Sequence, residues 1–270
     1  MCEIIFLGTG GGRINLINQT RKTGGFLIRF KDVLISVDPG PGALSQLHSL
    51  GIAPTSINCV ICSHLHLDHT LEAPLLLEAM SKFMLKRGGI LIGSDWALNK
   101  DNMGDRAISL YHQSKLDQRI VLSPNQEIDV QLSKNVQVKL SAVPVKHEDL
   151  SGFGFVMQIG KYKIGYTSDT EYIPKIHDVS YSGLDLLIAN CIKPNADKIP
   201  GHLNSCDLSK MLLKTKPKKC IITHLGVHIL NVGPLVQAKM ISENSNISTI
   251  AAQDGYCYDL NLSQWGPFKK

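Results

Sequence analysis

The segment SHLHLDHT at 63–70 contains four side chains of metal-binding types within six consecutive positions. In an extended backbone residues i and i+2 project to the same side, so His64 and His66 should point together. The turn that follows can bring Asp68 and His69 to the same space. Imidazole nitrogen and carboxylate oxygen are zinc ligands that also suit manganese or iron. The segment predicts a metal site, because a row of merely exposed or hydrogen-bonded histidines would crowd imidazoles that repel when protonated.

Further ligand types occur where apolar segments end. The segment 138–145 runs into His147, 163–167 runs into Asp169, and 220–223 runs into His224. Function in α/β proteins tends to lie at the carboxyl ends of strands. A single polar residue after a strand can equally be a turn former. Several such endings, in a chain that already has the histidine segment, indicate one site assembled from distant parts of the chain.

The elements that must position these residues are short apolar segments separated by glycine-bearing turns. Alternation and β-branched content predict strands, whereas longer periodic segments predict helices. The expected helices lie at 44–50, 75–86, 97–114 with an interruption at Gly104, 204–214 and 234–243. The expected strands lie at 2–7, 25–30, 33–37, 57–62, 126–130, 136–143, 153–159, 162–167, 184–189, 220–223 and 256–260.

This order of elements is not the regular alternation of a doubly wound parallel sheet, and two sheets with helices outside fit it better. No repeat or linker is evident, so the chain is expected to form a single domain over 1–270.

Composition sets the class of protein. Of 270 residues, 43% are apolar and 19% charged, which suits a folded domain rather than a disordered chain. There is no apolar run of about 18 residues, so no membrane contact is expected. The N-terminus lacks the features of a signal peptide. Seven scattered cysteines favour a reducing, cytoplasmic location over a disulfide framework. The net charge of +5 permits an anionic substrate without requiring nucleic acid.

The cysteines Cys59 and Cys62 form a CxxC pattern that could be read as a metal site. Within a strand, residues three apart point to opposite faces and cannot chelate one ion together. No second CxxC is present in the sequence. Both thiols are therefore predicted to be core residues.

Five ordered motifs resemble those of the metallo-β-lactamase superfamily, and the resemblance spans nearly the whole chain. They are Asp38 in VLISVDPGPG, HLHLDH at 64–69, His147 in VPVKHE, Asp169 in YTSDTEY and His224 in ITHLG. The resemblance implies an α/β protein with an αββα sandwich, in which two mixed sheets carry helices on their outer faces. It also implies two divalent metal ions, with zinc favoured and manganese or iron as alternatives, and a homodimer.

The resemblance also implies a role for each motif residue. One metal would be held by His64, His66 and His147, the second by Asp68, His69 and His224, with Asp169 bridging the two. Asp38 is not an expected ligand. It would hydrogen-bond a ligand imidazole and fix its tautomer, although it also suits the turn before Pro39-Gly40.

Three features indicate a branch of this superfamily. Histidine at position 66, where the iron-dependent redox branch usually has glutamate, favours hydrolysis. The segment FLGTGGG at 6–12 resembles the start of ribonuclease Z and its phosphodiesterase relatives. Its glycines would let the backbone approach the site closely, and the alternative is that they only form a tight turn. Only 22 positions separate His147 from Asp169, so the RNA-gripping arm of ribonuclease Z is missing and the chain is more similar to the smaller PhnP-like relatives.

Several side chains are assigned roles other than binding metal. His202 in PGHLN matches a non-ligand histidine of the phosphodiesterase branch, with Asn204 as a departure from its usual serine. There it would protonate or stabilise the leaving oxygen, and Asp68 would also orient the nucleophile. Arg13, Arg21 and Lys22 are candidates for binding substrate phosphate or a nucleotide edge, and equally for solvated loop charges. The loop 12–24 has no cysteine, which predicts no structural zinc.

The expected function is metal-dependent hydrolysis of a phosphodiester, in which two metal ions activate water for attack on phosphorus. The substrate could be a cyclic nucleotide, an RNA end or a small phosphodiester. A thioesterase or lactonase with the same metals, and an endonuclease that processes tRNA 3′ ends, are the alternatives within the family. A nucleic-acid-binding or scaffold protein without catalysis is the rival outside it, and a complete ligand set argues against it.

Overall fold

The structure is a computed structural model that describes residues 1–269. Its strands are β1 (Cys2–Gly8), β2 (Gly25–Phe30), β3 (Val33–Val37), β4 (Cys59–Cys62), β5 (Ile90–Gly93), β6 (Gln118–Val121), β7 (Glu127–Ser133), β8 (Val136–Pro144), β9 (Phe153–Ile159), β10 (Tyr162–Tyr166), β11 (Leu186–Lys193), β12 (Leu203–Asn204), β13 (Cys220–Thr223), β14 (Thr249–Ala251), β15 (Tyr256–Asp259) and β16 (Gln264–Pro267). Its helices are α1 (Arg13–Asn18), α2 (Ala43–Leu50), α3 (Leu67–Thr70), α4 (Ala73–Met80), α5 (Asp95–Leu98), α6 (Leu110–Gln113), α7 (Pro174–Ser180), α8 (Ser205–Thr215), α9 (Val227–Val232) and α10 (Pro234–Ser245).

The strands form two mixed sheets. The first has the order β16-β15-β1-β2-β3-β4-β5-β6, with parallel pairing from β3 to β6 and antiparallel pairing elsewhere. The second has the order β14-β13-β11-β10-β9-β8-β7, with β12 beside β11 and with parallel pairing from β14 to β10. Because parallel strands end at the same edge, the segments after β3, β4, β10 and β13 can meet.

Alternate residues of both sheets pack into one core between them. Phe26 of β2 meets Tyr166 of β10 edge to face, with ring centroids 5.2 Å apart. Full burial of an aromatic ring of this kind contributes about 1.5–3 kcal/mol. The outer face of the first sheet is covered by α2 and α4, and that of the second by α7, α8 and α10. The predicted αββα sandwich is confirmed.

Cys59 belongs to the core between the sheets, whereas Cys62 lies in the core beneath the helices of the first sheet. Both thiols are buried and free, as predicted for a strand with opposed faces. Within residues 1–269 no helix is long and apolar enough to span a bilayer.

Several predicted elements were wrong. The helix expected at 75–86 is α4, which ends at Met80 and is followed by three residues with positive φ, 82–84. The helix expected at 97–114 is two single turns, α5 and α6, each started by a serine cap at Ser94 or Ser109. The four-residue strands β5 and β6 between and after these helices were missed, because so short a segment carries little periodicity. The loop expected at 12–24 contains α1.

Candidate metal centre

The predicted ligands come together where strands end. His64 and His66 follow β4, His147 follows β8, Asp169 follows β10 and His224 follows β13. Four overlapping groups of three have donor atoms that all lie within 4.8 Å of one another. Two of them share no residue: one is His64, His66 and His147, and the other is Asp68, His69 and His224. This is the division that the resemblance implied. That each group binds a metal ion stays a prediction.

Asp169 lies between the two groups. Its Oδ2 is 3.5 Å from Nε2 of His69 and 3.3 Å from Nε2 of His224 in one group, and 4.0 Å from Nε2 of His64 in the other. Its Oδ1 accepts a hydrogen bond of 2.7 Å from Nδ2 of Asn190. The carboxylate is thereby oriented with one oxygen facing both groups, which is the position that a bridging ligand needs.

Asp38 determines which ring nitrogen of His69 carries a hydrogen. Oδ2 of Asp38 accepts hydrogen bonds from Nδ1 of His69 at 2.9 Å, from Oγ of Ser63 at 2.6 Å and from Oη of Tyr166 at 2.7 Å. Its Oδ1 accepts from the backbone N–H of Ser63 at 2.7 Å. A carboxylate can only accept, so His69 must carry a hydrogen on Nδ1. The lone pair of its Nε2 is then free whenever the ring is neutral.

The same carboxylate acts on His64 through Ser63. Since the hydroxyl hydrogen of Ser63 is given to Asp38, Nδ1 of His64, 3.1 Å from the Ser63 Oγ, donates to that oxygen. Nε2 of His64 is then an acceptor, and it is buried without a hydrogen-bond partner among the residues that the structure describes. A buried acceptor without a partner is costly, and a cation in the centre would satisfy it.

The imidazoles of the first group are held neutral. Nδ1 of His147 donates to the carbonyl oxygen of Gly201 at 3.0 Å, while its Nε2 faces Nδ1 of His66 at 3.2 Å. Burial lowers the pKa of His147 to about 4 and lowers that of His64 well below its usual value. Neutral imidazole is the form that ligates a metal.

The second group is richer in negative charge. Burial alone would lower the pKa of His69, but the carboxylates of Asp68, Asp169 and Asp38 outweigh it and raise the pKa well above its usual value. Without a cation the cluster therefore needs a proton to balance its carboxylates. The converging nitrogen and oxygen donors, the fixed tautomers and the unpartnered Nε2 of His64 together fit divalent metal ions.

The glycines of FLGTGGG place the backbone against the centre. A Cβ at Gly11 would lie 2.2 Å from the ring of His224, so only glycine fits there. The next residue, Gly12, has a φ of +80° and donates its backbone N–H to Oδ2 of Asp68 at 3.1 Å. The close approach expected of this segment is observed.

His202 stands beside the centre with both ring nitrogens facing acceptors. Nδ1 is 2.9 Å from the carbonyl oxygen of Pro200, and Nε2 is 3.2 Å from Oδ2 of Asp169. Burial lowers the pKa of His202, but Asp169 outweighs it and leaves the pKa raised. Asn204, the departure from serine, caps α8 by accepting the backbone N–H of Asp207 at 2.8 Å, a role that serine also fills at helix N-termini.

A cavity of about 620 Å³ opens above the centre, and His66, Asp68, Asp169 and His202 lie on its floor. Of the three basic residues expected to bind substrate, only Arg13 lines this cavity, and its guanidinium is 3.2 Å from the carboxylate of Glu148.

The other two basic residues have partners within the fold and do not line this cavity, and that they bind substrate stays a prediction. Nη1 of Arg21 donates to Oγ1 of Thr9 at 2.9 Å and to the carbonyl oxygen of Ala252 at 2.8 Å. Nζ of Lys22 donates to Gln46, and its backbone N–H donates to Asp254 at 3.0 Å. Both side chains fasten the glycine segment to the rest of the fold.

Several residues that support the centre carry no clear signal in the sequence. Besides Ser63, Tyr166 and Asn190, the buried Asp149 accepts the backbone N–H of Leu65 at 2.9 Å and so holds the histidine segment in place. The only signal in the sequence was an acidic residue two positions after His147.

Comparison with known proteins agrees with this geometry. The family model described as a beta-lactamase superfamily domain matches residues 34–225. An uncharacterized protein of Methanocaldococcus jannaschii is 37% identical over 260 residues, which cover 96% of this chain and 95% of that protein. A ribonuclease Z of Sulfolobus acidocaldarius is 24% identical, over 91% of this chain and 95% of its own.

Among solved structures, a diphosphatase from the PhnP family aligns with a TM-score of 0.68 at 18% identity, covering 96% of this chain and 98% of that one. This last likeness concerns the fold. The matched family model covers the segments from β3 to β13, which carry Asp38 and all the clustered ligands. The chain belongs to the metallo-β-lactamase superfamily and is a metal-dependent hydrolase.

Proposed function

We propose that this hydrolase is a phosphodiesterase with two divalent metal ions, held by His64, His66 and His147 on one side and by Asp68, His69 and His224 on the other. Asp169 is the bridging ligand in this proposal, and zinc is the favoured metal. When bound, such a pair of ions activates water and neutralises charge on the phosphate oxygens. Homodimerisation, a cytoplasmic location and a single domain over 1–270 stay predictions.

The observation that carries the proposal is the position of His202. Acceptors face both of its nitrogens, which favours the doubly protonated ring, and the side chain reaches the cavity floor next to the proposed ligands. Hydrolysis of a phosphodiester expels an alkoxide or aryloxide, which gains from a proton donor at that point. Nε2 of His202 holds a proton that can pass to the leaving oxygen, an effect of about 10²–10⁴-fold on rate.

The other side chains hold the site in place for this step. Asp169 keeps His202 charged and directed to the floor, and Gly12 fixes the Asp68 carboxylate through its backbone N–H. Asp68 is thereby positioned to orient the attacking water by accepting one of its hydrogens. The similarity to a ribonuclease Z and the fold shared with a PhnP-family diphosphatase support phosphoester chemistry over thioester or lactone hydrolysis.

The test compares bis(p-nitrophenyl) phosphate with thioester and lactone substrates for the wild type and for His202→Ala, each loaded with metal. We expect the phosphodiester to be the preferred substrate. A dialkyl phosphodiester, whose alkoxide leaving group needs a proton far more than p-nitrophenolate does, tests His202: the variant should lose about 10²–10⁴-fold in kcat on it with its metal content intact. Unchanged turnover of the dialkyl phosphodiester in a fully loaded variant would remove the assigned role of His202. A preference for thioester or lactone would refute the phosphodiesterase itself.

A further inference from the structure

The cavity above the centre has a wall of aliphatic side chains. We call this set the aliphatic wall, and its members come from α1, α3, β11, α9 and the loop before β12: Ile14, Leu16, Ile17, Leu67, Ile192, Ile199, Pro200 and Val227. A cavity of about 620 Å³ lies within the usual range of sites for small organic ligands, roughly 300–1,000 Å³. The cavity thus has a polar floor and an apolar side.

Part of the aliphatic wall is exposed to solvent. Ile14 is 58% exposed, Ile17 79% and Leu67 54%, although all three belong to an otherwise well-packed domain. Isolated exposed aliphatic residues are ordinary, but three on the rim of one cavity form a patch that a ligand can cover. The helix α1 buries only Asn15 in the fold, so its aliphatic side chains are available to the cavity.

The charges around the cavity suit a ligand with little negative charge outside the centre. Arg13 is paired with Glu148 at 3.2 Å, so the two largely cancel. Among the described residues that line the cavity, Lys193 is the only other lysine or arginine. A polynucleotide would need a row of cations along its phosphates and aromatic faces for its bases. No Phe, Tyr or Trp lines this cavity within residues 1–269.

We propose that the site takes a phosphodiester with a single negative charge and one bulky apolar ester group, aryl or branched alkyl, which packs against the aliphatic wall while the phosphate lies on the floor. This inference rests on the proposed phosphodiesterase function and adds the class of substrate.

The test uses substrates that share one leaving group and differ only in the ester group that is retained. These are the p-nitrophenyl phosphodiesters of methanol, phenol and the 5′-hydroxyl of thymidine, assayed by release of p-nitrophenol from the metal-loaded full-length chain. We expect kcat/KM for the phenyl ester to exceed that for the methyl ester at least tenfold, and to exceed that for the thymidine ester. Equal rates for phenyl and methyl, or a preference for thymidine, would overturn the inference.

Substitution in the aliphatic wall tests the cause of that preference. In Ile17→Ser the phenyl-to-methyl ratio of kcat/KM should fall at least threefold. The matched control is Val179→Ser on α7, which is 77% exposed and does not line the cavity, and which should keep the wild-type ratio. A wild-type ratio in Ile17→Ser, or an equal fall in both variants, would contradict contact between the ester group and this wall.

Binding of ions that cannot be hydrolysed separates this inference from the proposed function. Diphenylphosphinate and dimethylphosphinate carry the same charge and contain no ester bond. We expect calorimetry on the metal-loaded protein to show at least tenfold tighter binding of the diphenyl ion, with the difference reduced in Ile17→Ser. Equal binding of the two ions would overturn the substrate class. Discrimination between them without hydrolysis of any phosphodiester would overturn the phosphodiesterase alone and leave the apolar preference supported.

Discussion

Replacement of Asp38 by asparagine should weaken metal binding although Asp38 is not among the expected ligands. Asp38 has a φ of +50°, a left-handed conformation that asparagine adopts as readily as aspartate, so the backbone should not change. The amide keeps the shape of the carboxylate but has only one accepting oxygen. If the amide N–H₂ group takes the place of Oδ1, it faces the backbone N–H of Ser63. If it takes the place of Oδ2, it faces three donors, Ser63 Oγ, His69 Nδ1 and Tyr166 Oη. In both orientations a donor therefore faces a donor.

The magnitude follows from these contacts. The hydrogen bond from His69 to Asp38 is 2.9 Å long and charge-assisted, and the substitution makes it neutral or removes it. Loss of such an outer hydrogen bond lowers metal affinity about 10–100-fold, which corresponds to about 1.4–2.8 kcal/mol. A buried donor left without an acceptor costs a further ~1–3 kcal/mol of folding free energy. Because Ser63 connects Asp38 to His64, affinity should fall at both groups of ligands.

The assay is competition for Zn²⁺ between the protein and a chelator of known affinity, with urea unfolding measured in parallel. Tyr166→Phe is the matched control, since it removes one of the donors to Asp38 while the bonds from His69 and Ser63 remain. It should lose folding stability through its unpaired partners but keep its zinc affinity within about threefold of wild type. Wild-type zinc affinity in a folded Asp38→Asn protein would refute the argument that Asp38 fixes the imidazoles. An equal loss of affinity in both variants would show that general loosening is responsible.

Three other predictions concern metal and stability. Removal of metal by a chelator should lower the melting temperature by about 10 °C for each ion removed, relative to protein with Zn²⁺ at a thousandfold excess over its Kd. Each bound ion then contributes about 4 kcal/mol, and each kcal/mol shifts a domain of this size by about 2–4 °C. Equal melting temperatures would contradict this prediction. Asp149→Ala should lower the free energy of unfolding, measured with urea, by about 2–4 kcal/mol. The reason is that the N–H of Leu65 and the N–H and Oγ of Ser151 lose their acceptor. The control Ser151→Ala should lower the free energy of unfolding by less than half as much. Zn²⁺ binding at pH 7 should release about one proton, because the raised pKa of His69 leaves that ring protonated in metal-free protein. His64 and His147 should release none, since burial lowers the pKa of His64 well below its usual value and the pKa of His147 to about 4. Calorimetry in buffers of different ionisation enthalpy measures the release, and zinc affinity should rise with pH.

The residues that the sequence allowed us to group into one site are those that directly follow a recognisable strand. His64 and His66 follow a short buried strand at a spacing of two, and His224 follows another, so residue type and strand periodicity sufficed. Arg21 and Lys22 look like free loop charges until the partners Ala252 and Asp254, more than 230 positions away, are seen beside them.

Other features depend on contacts that no local pattern contains. Asp149 matters because it reaches Leu65, 84 positions earlier in the chain. The helix α1 was missed because it has only six residues, too few to show a helical period in the sequence. The helix expected at 75–86 stops at Met80, where Ser81 donates its hydroxyl to the carbonyl oxygen of Leu77 and the chain turns left-handed.

The contact between Thr9 and Asp254 constrains the order in which the protein can be built. Asp254 accepts both the backbone N–H and the hydroxyl of Thr9, and β1 is paired with β15 as well as with β2. Because 245 positions separate these two residues, closing the loop between them is a long-range step that follows local folding. On the ribosome β1 must therefore wait, with one edge unpaired, until β15 has been synthesised. The glycine segment beside the expected metal ligands acquires its native form only then, so metal capture in the native geometry must follow the synthesis of β15.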